Sequence, residues 1–180
     1  GGKLSMPQAS KAINALRDDL LLSKKGSAIK LVEPLRLLDK LGKAWRDPKV
    51  RSRRSLRLPP ELNWPSALSS DSTLLWAVTG ASSVNRYAAF SEAGPFRVAV
   101  SSMATALENL DGKPEPVPSF ADIELVESDE PGFYFQNEVD DKGIRWTSRL
   151  QTWLELQAGD ARQQDAGRDI RKQILKGTLL

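Results

Sequence analysis

Apolar residues recur at helical spacing near the start of this chain, in short runs through its middle, and at helical spacing again at its end. Ala9, Ile13, Leu16 and Leu20 fall at i, i+4, i+7 and i+11, which predicts one stripe of an amphipathic helix. Ser5 stands before it as a cap, Pro7 fits its first turn, and Gln8 completes a capping box. Next, Leu20-Leu21-Leu22 and Ala28-Ile29-Lys30-Leu31-Val32 flank Ser23-Lys24-Lys25-Gly26-Ser27, predicting a β-hairpin with a basic tip. Pro34 opens a second helix, with Leu35, Leu38, Leu41 and Trp45 packing and Arg36, Lys40 and Lys43 exposed.

Periodicity then fails. Residues 47–66 hold five Lys/Arg and four Pro, the composition of a linker over 47–65 with a boundary at Pro59-Pro60. Beyond it the pattern alternates. A short helix is expected over 66–73, an apolar strand over 74–78, a helix over 82–90, a strand over 96–101 and a helix over 104–110. Strands are expected at 123–126 and 133–139, separated by Glu130-Pro131-Gly132, and near 144–146. Two helices close the chain. Leu150, Trp153, Leu154 and Gln157 set a face of the first; Asp160 caps the second, where Ala166, Ile170 and Ile174 align. The expected fold class is α/β or α+β: a partial winged helix-turn-helix in 1–46, then a small mixed sheet covered by helices in 66–180.

Charge sharpens this division. Residues 1–57 carry fifteen Lys/Arg against five acids, a formal +10, and the remainder carries eleven against eighteen, or −7. A basic end of this size is the electrostatic footprint of nucleic-acid binding. The helix face opposite the apolar stripe shows Gln8, Ser10, Lys11, Asn14 and Arg17, side chains suited to base edges and phosphates in a major groove. Lys24 and Lys25 would serve as a wing on phosphates or the minor groove, and Arg51, Arg53, Arg54 and Arg57 would lie in a solvated linker, as an arm along DNA or against the acidic half. The chain has no Cys and no His, which removes disulfides, thiolate nucleophiles and the usual neutral-pH general base. No cofactor or metal is expected. No apolar run approaches membrane-spanning length and the basic start has no apolar signal region, so a cytoplasmic protein is expected.

Three stretches carry a resemblance: TGASSVNRYAAF at 79–90, FRVAVSS at 96–102, and RWTSRLQTWLELQAGDARQQDAGRDIRKQIL at 145–175. They are similar to the C-terminal domain of AbiEi-type antitoxins, the transcriptional-regulator component of type IV toxin–antitoxin systems. With the helix–hairpin start, the resemblance covers nearly the whole chain. It implies an N-terminal winged helix that represses its own operon through operator DNA, and a C-terminal domain needed for antitoxicity. It also implies a nucleotidyltransferase-like toxin as functional partner, and no catalytic residues. One departure is that only Gly1-Gly2-Lys3-Leu4 precedes Ser5, where the family pattern places further helices, so the chain is expected to start inside the turn of its helix-turn-helix.

The acids offer an alternative. Asp122, Glu124, Glu127, Asp129, Glu130, Glu138, Asp140 and Asp141 form a run without an intervening base, and paired carboxylates hold Mg²⁺ in nucleases and nucleotidyltransferases. The nearest acid-x-Lys, Asp111-Gly112-Lys113, falls in a turn rather than a strand. The run also fits a solvated acidic edge, or an interaction module gripping a basic partner. Thr79-Gly80-Ala81-Ser82-Ser83 suits either a phosphate cradle or an ordinary helix start with Ser82 capping.

Overall fold

Val98, Val100, Ile123 and Leu125 point to one side of a sheet, and Arg97, Ala99, Glu124 and Val126 to the other, because successive strand residues face opposite ways. That sheet organises the molecule. The computed structural model describes residues 5–26, 28–90, 94–110, 115–117, 119–128 and 137–178. Its strands are β3 (Val50–Arg57), β4 (Trp76–Val78), β5 (Phe96–Val100), β6 (Glu115–Pro116), β7 (Ile123–Ser128), β8 (Asn137–Val139) and β9 (Arg145–Thr147). They lie in the order β6-β3-β7-β5-β4-β9-β8, a seven-stranded mixed sheet. β5–β7 and β4–β9 are parallel, and the remaining pairs are antiparallel. The chain is therefore a mixed α/β protein, as expected.

The first face buries Leu56, Trp76, Val78, Val98, Val100, Ile123, Leu125 and Trp146 against Leu68 of α3 (Trp64–Leu68) and Met103 and Ala106 of α4 (Met103–Asn109). Each large side chain withdrawn from water there contributes about 1.5–3 kcal/mol. The second face holds Ala99 and Val126 and meets the 3₁₀ helix Gly80–Arg86, on which helix α5 (Arg149–Leu156) packs. Beyond it, Val84, Tyr87, Trp153, Leu154, Leu156 and Ile170 form a second core, completed by α6 (Ala161–Thr178).

The front of the chain forms α1 (Met6–Asp18), a separate hairpin of β1 (Leu22–Lys25) and β2 (Ala28–Leu31), and α2 (Pro34–Ala44). The Ser5–Gln8 capping box is present. Ser148 and Asp160 cap the last two helices through the Gln151 and Gln163 N–H groups.

Several expectations are corrected. Residues 50–57, taken as linker, form β3, paired on both sides by β6 and β7. The physical reason is cross-strand complementarity. Arg53 reaches Glu124, Ser52 reaches Glu127, and Leu56 enters the core against Ile123. Nor does α2 belong to the front alone, since its Leu38, Leu41 and Trp45 join the second core with Trp153 and Ile170. Leu35, expected to pack, is exposed. Residues 82–90 are not an α-helix; a 3₁₀ helix begins at Gly80, whose φ of +62° suits a residue without a Cβ. Leu20 does not continue the α1 stripe, as described below. On α5, Leu150 and Gln157 are exposed, whereas Gln151 and Thr152 are buried because they have polar partners there. Gly1–Leu4, Asp111–Lys113, Asp129, Glu130 and 131–136 lie outside the described residues.

Candidate nucleic-acid interface

α1 buries no residue. Ala9, Ile13 and Leu16 are half-buried, and Ser10, Lys11, Asn14 and Arg17 are exposed. The helix ends in a Schellman turn. Leu20 N–H donates to the Arg17 carbonyl at 2.8 Å and Leu21 N–H to the Leu16 carbonyl at 2.9 Å. Leu20 therefore takes the left-handed conformation, with φ +60°, usually filled by glycine, and its side chain points to solvent while Leu21 is buried. That turn aims the chain directly into β1, and Val32 N–H returns to the Leu21 carbonyl at 2.9 Å. Helix and hairpin are thus joined at one buried leucine.

Helical geometry places Lys11, Asn14 and Asp18 opposite the half-buried stripe, with Ser10 and Arg17 on one flank and Gln8 on the other. Gln8 is only partly available, because its amide oxygen accepts from Ser5 N and Ser5 Oγ, both at 3.0 Å. Its amide nitrogen remains as a donor. Asp18, which the basic and amide pattern of the sequence does not include, puts a carboxylate beside Lys11 and Asn14 and lies 3.8 Å from Arg17. The i+4 and i+7 spacing was the available signal.

On the hairpin, Lys24 pairs across from Ile29 and Lys25 from Ala28, with Ser23 opposite Lys30. Directly paired residues share a face and neighbours alternate, so Lys24 and Lys25 point to opposite sides. Lys25 shares its side with Lys30, and Lys24 shares the side of Leu22, Ile29 and Leu31. Lys30 is the residue missed, and the alternation along 28–31 carries the signal. Lys11, Lys24, Lys25 and Lys30 make no ion pair with any other described residue.

Arg51, Arg53 and Arg54 are not brought to this front. All three lie on β3, Arg51 at a bulge between the Val50 and Ser52 pairings. Arg53 pairs with Glu124 at 3.3 Å, and Arg54 donates to the Arg53 carbonyl at 3.0 Å. Arg97 grips the same Glu124 at 2.8 Å, so one largely buried carboxylate ties β3, β7 and β5 together. A cavity of about 450 Å³ opens there, lined by Arg53, Thr79, Ser82, Arg97, Glu124 and Glu155 among others. Its cations and carboxylates nearly balance. The Glu155 carboxylate takes the Gly80 N–H at 2.6 Å, the Thr79 hydroxyl at 2.7 Å and the Gln151 amide at 3.0 Å. Burial still pushes its pKa above the usual carboxylate range. The Gly80 N–H that a phosphate would need is thus already held by an internal carboxylate, and Ser82 Oγ accepts from Arg97 N at 2.9 Å instead of capping its helix.

Beside this lies a buried hydroxyl chain. Ser83 and Thr152 meet at 2.9 Å, Thr147 and Thr152 at 3.2 Å, and the Tyr87 hydroxyl donates to the Thr147 carbonyl at 2.6 Å. Burial pushes the Tyr87 phenol up to about 12, with the Glu138 charge adding to it. This chain fastens the 3₁₀ helix to α5.

Four further acids of the run have structural partners. Asp122 accepts from Leu58 N at 2.8 Å, Glu127 from Ser52, and Glu138 lies 3.9 Å from Arg86. Asp140 accepts from Lys142 N, Ile144 N and Trp146 Nε1, each at 2.9 Å. Burial alone would raise its pKa, but these three donors outweigh it and hold it below the ordinary value. Among the described residues, no group of three or more acids is placed to hold a metal ion. No helix among them is long and apolar enough to cross a membrane. Comparison with protein-family models, curated proteins and solved structures finds no match for this chain.

Proposed function

We propose that this chain is a non-catalytic DNA-binding transcriptional regulator of the AbiEi antitoxin type. α1 would be its groove-reading helix and the β1–β2 hairpin its wing. The observation that carries this reading is α1 itself: a thirteen-residue helix with no buried residue, leading straight into a hairpin whose lysines have no carboxylate partner among the described residues. A helix so exposed gains little from packing, which fits a surface used on a partner.

In this reading Lys11 and Asn14 enter the major groove, Asn14 with the amide geometry that suits adenine. Ser10 and Arg17 on one flank and the free amide nitrogen of Gln8 on the other add contacts to base edges or sugar–phosphate. Asp18 accepts from a cytosine amine or repels phosphate, and so contributes discrimination rather than affinity. Lys25 and Lys30 lie on phosphates from the hairpin, and Lys24 reaches outward from its other side. The sheet domain is the antitoxin part, acting in the cytoplasm against a nucleotidyltransferase-like toxin, as the family resemblance implies.

The test is fluorescence anisotropy with the protein's own promoter duplex and a scrambled duplex, across a salt series. Promoter binding should exceed scrambled binding. Lys25→Gln should weaken both equally and reduce the slope of log K against log salt by about 0.9. Absence of salt-dependent duplex binding would overturn the proposal.

A further inference from the structure

The second helix carries a basic face that the groove-reading scheme does not use. α2 has two opposite sides. Leu38, Leu41 and Trp45 enter the second core, and Gly42 lies so close to Trp153 that a Cβ there would sit 3.1 Å from Cη2. Asp39 leaves toward α6, where it bonds Arg171 at 2.5 Å. On the reverse side Arg36, Lys40 and Lys43 fall at i, i+4 and i+7.

Lys40 locates that face. It forms an ion pair with Asp19, the C-cap residue of α1. By helical spacing Asp19 continues the Gln8–Ala12–Ala15 flank of α1, beside the Lys11–Asn14 face and away from the Ser10–Arg17 flank. The basic side of α2 is therefore held along one border of the proposed reading face. Arg36 and Lys43 are exposed on either side of Lys40 and make no ion pair with a described residue; Glu33, three residues before Arg36, does not reach it.

A solvated charged helix looks different in this same molecule. On α6, Arg168 and Lys172 are each matched by an acid three residues earlier, Asp165 and Asp169. α2 lacks that balance because Asp39 points to Arg171 and Asp19 engages only Lys40. Like charges one turn apart oppose each other by a few tenths of a kcal/mol. A polyanion relieves that repulsion.

We propose that Arg36 and Lys43 contact the phosphates of one DNA strand, so that α2 grips the backbone bordering the groove that α1 enters. This rests on the DNA-binding reading above. The experiment uses the full chain, a fluorescent 20-base-pair duplex and a salt series, with four proteins. Arg36→Gln/Lys43→Gln should reduce the slope of log K against log salt by about 1.8, two phosphate contacts at about 0.9 each. Lys142→Gln/Lys176→Gln removes the same charge from the sheet domain and should leave the slope as in the wild type. Lys25→Gln/Lys30→Gln reports on the hairpin independently.

If the α2 variant keeps the wild-type slope while the hairpin variant loses slope, the inference falls and the DNA reading stands. If the α2 and control variants change the slope equally, the effect is net charge and the inference again falls. If the wild type shows no salt-dependent duplex binding, both fall. Thermal melts of all four proteins should coincide, since the substituted side chains are exposed.

Discussion

Arg53→Gln separates a cation that holds the sheet from the cations proposed to face DNA. The Arg53 guanidinium lies 3.3 Å from Glu124, and Glu124 retains Arg97 at 2.8 Å after the substitution. The Arg53 side chain is 52% exposed, so solvent screens its half of the triad and the loss belongs with exposed pairs, about 0.2–1 kcal/mol. For a chain of this size that is a fall in melting temperature of at most about 4 °C. Its effect on duplex DNA should be the reverse of that of Lys25→Gln. Arg53→Gln should leave the salt slope of binding unchanged, whereas Lys25→Gln should reduce the slope by about 0.9 and leave the melt unchanged. Differential scanning fluorimetry and anisotropy on the same preparations read both quantities. If Arg53→Gln reduces the slope by about 0.9 with no change in melting temperature, β3 behaves as a DNA arm and the division of cations is wrong.

Leu20→Gly should stabilise the protein by about 1 kcal/mol, because it removes the left-handed penalty at φ +60° from a side chain that packs on little; a lower melting temperature would refute the Schellman argument. Glu155 gives a pH signature. Its folded-state pKa is raised, so the folded protein binds that proton more tightly than the unfolded chain, and stability falls as pH rises from the ordinary carboxylate value through the raised one. Glu155→Gln should remove that slope while costing about 1–3 kcal/mol at every pH, since its amide nitrogen faces a donor; urea midpoints between pH 4 and 8 that run parallel for the two proteins would contradict it. Trp153→Ala should cost about 3–5 kcal/mol and release α2 along with α5 and α6; a loss below about 1 kcal/mol would show that α2 does not depend on that core.

The elements legible from sequence share one property: their determinants are local. The Ser5–Gln8 box, the Gly26 turn, the Ser148 and Asp160 caps and the apolar runs at 96–100 and 123–126 each sit within a few residues of what they specify. β3 was illegible for the converse reason. Of its eight residues four are arginines and only Leu56 is buried, so it lacks the alternation of a half-buried strand. The residues that make it a strand, Ile123, Glu124 and Glu127, lie about seventy positions downstream. Buried Thr152 follows the same logic in part, since its hydroxyl partner Ser83 lies sixty-nine positions upstream, whereas Gln151 meets Glu155 one turn along the same helix. Leu20 is a different kind of miss. The Schellman position favours glycine, and a leucine there is tolerated because the hydrogen bonds of the turn and the burial of Leu21 outweigh its strain.

The charge asymmetry is also redistributed by folding. The +10 of residues 1–57 suggested one basic surface, yet Arg53 is drawn into the sheet by Glu124 and Lys40 is drawn to Asp19. What remains toward solvent on the three front elements is a smaller set: Lys11 and Arg17 on α1, Lys24, Lys25 and Lys30 on the hairpin, and Arg36 and Lys43 on α2. α2 is the only one of the three elements with residues in the second core, and through Lys40 it also holds α1. Its Gly42 approach to Trp153 fixes how closely it sits on α5. A change at Trp153 or Gly42 therefore acts on the front of the chain through the position of one helix.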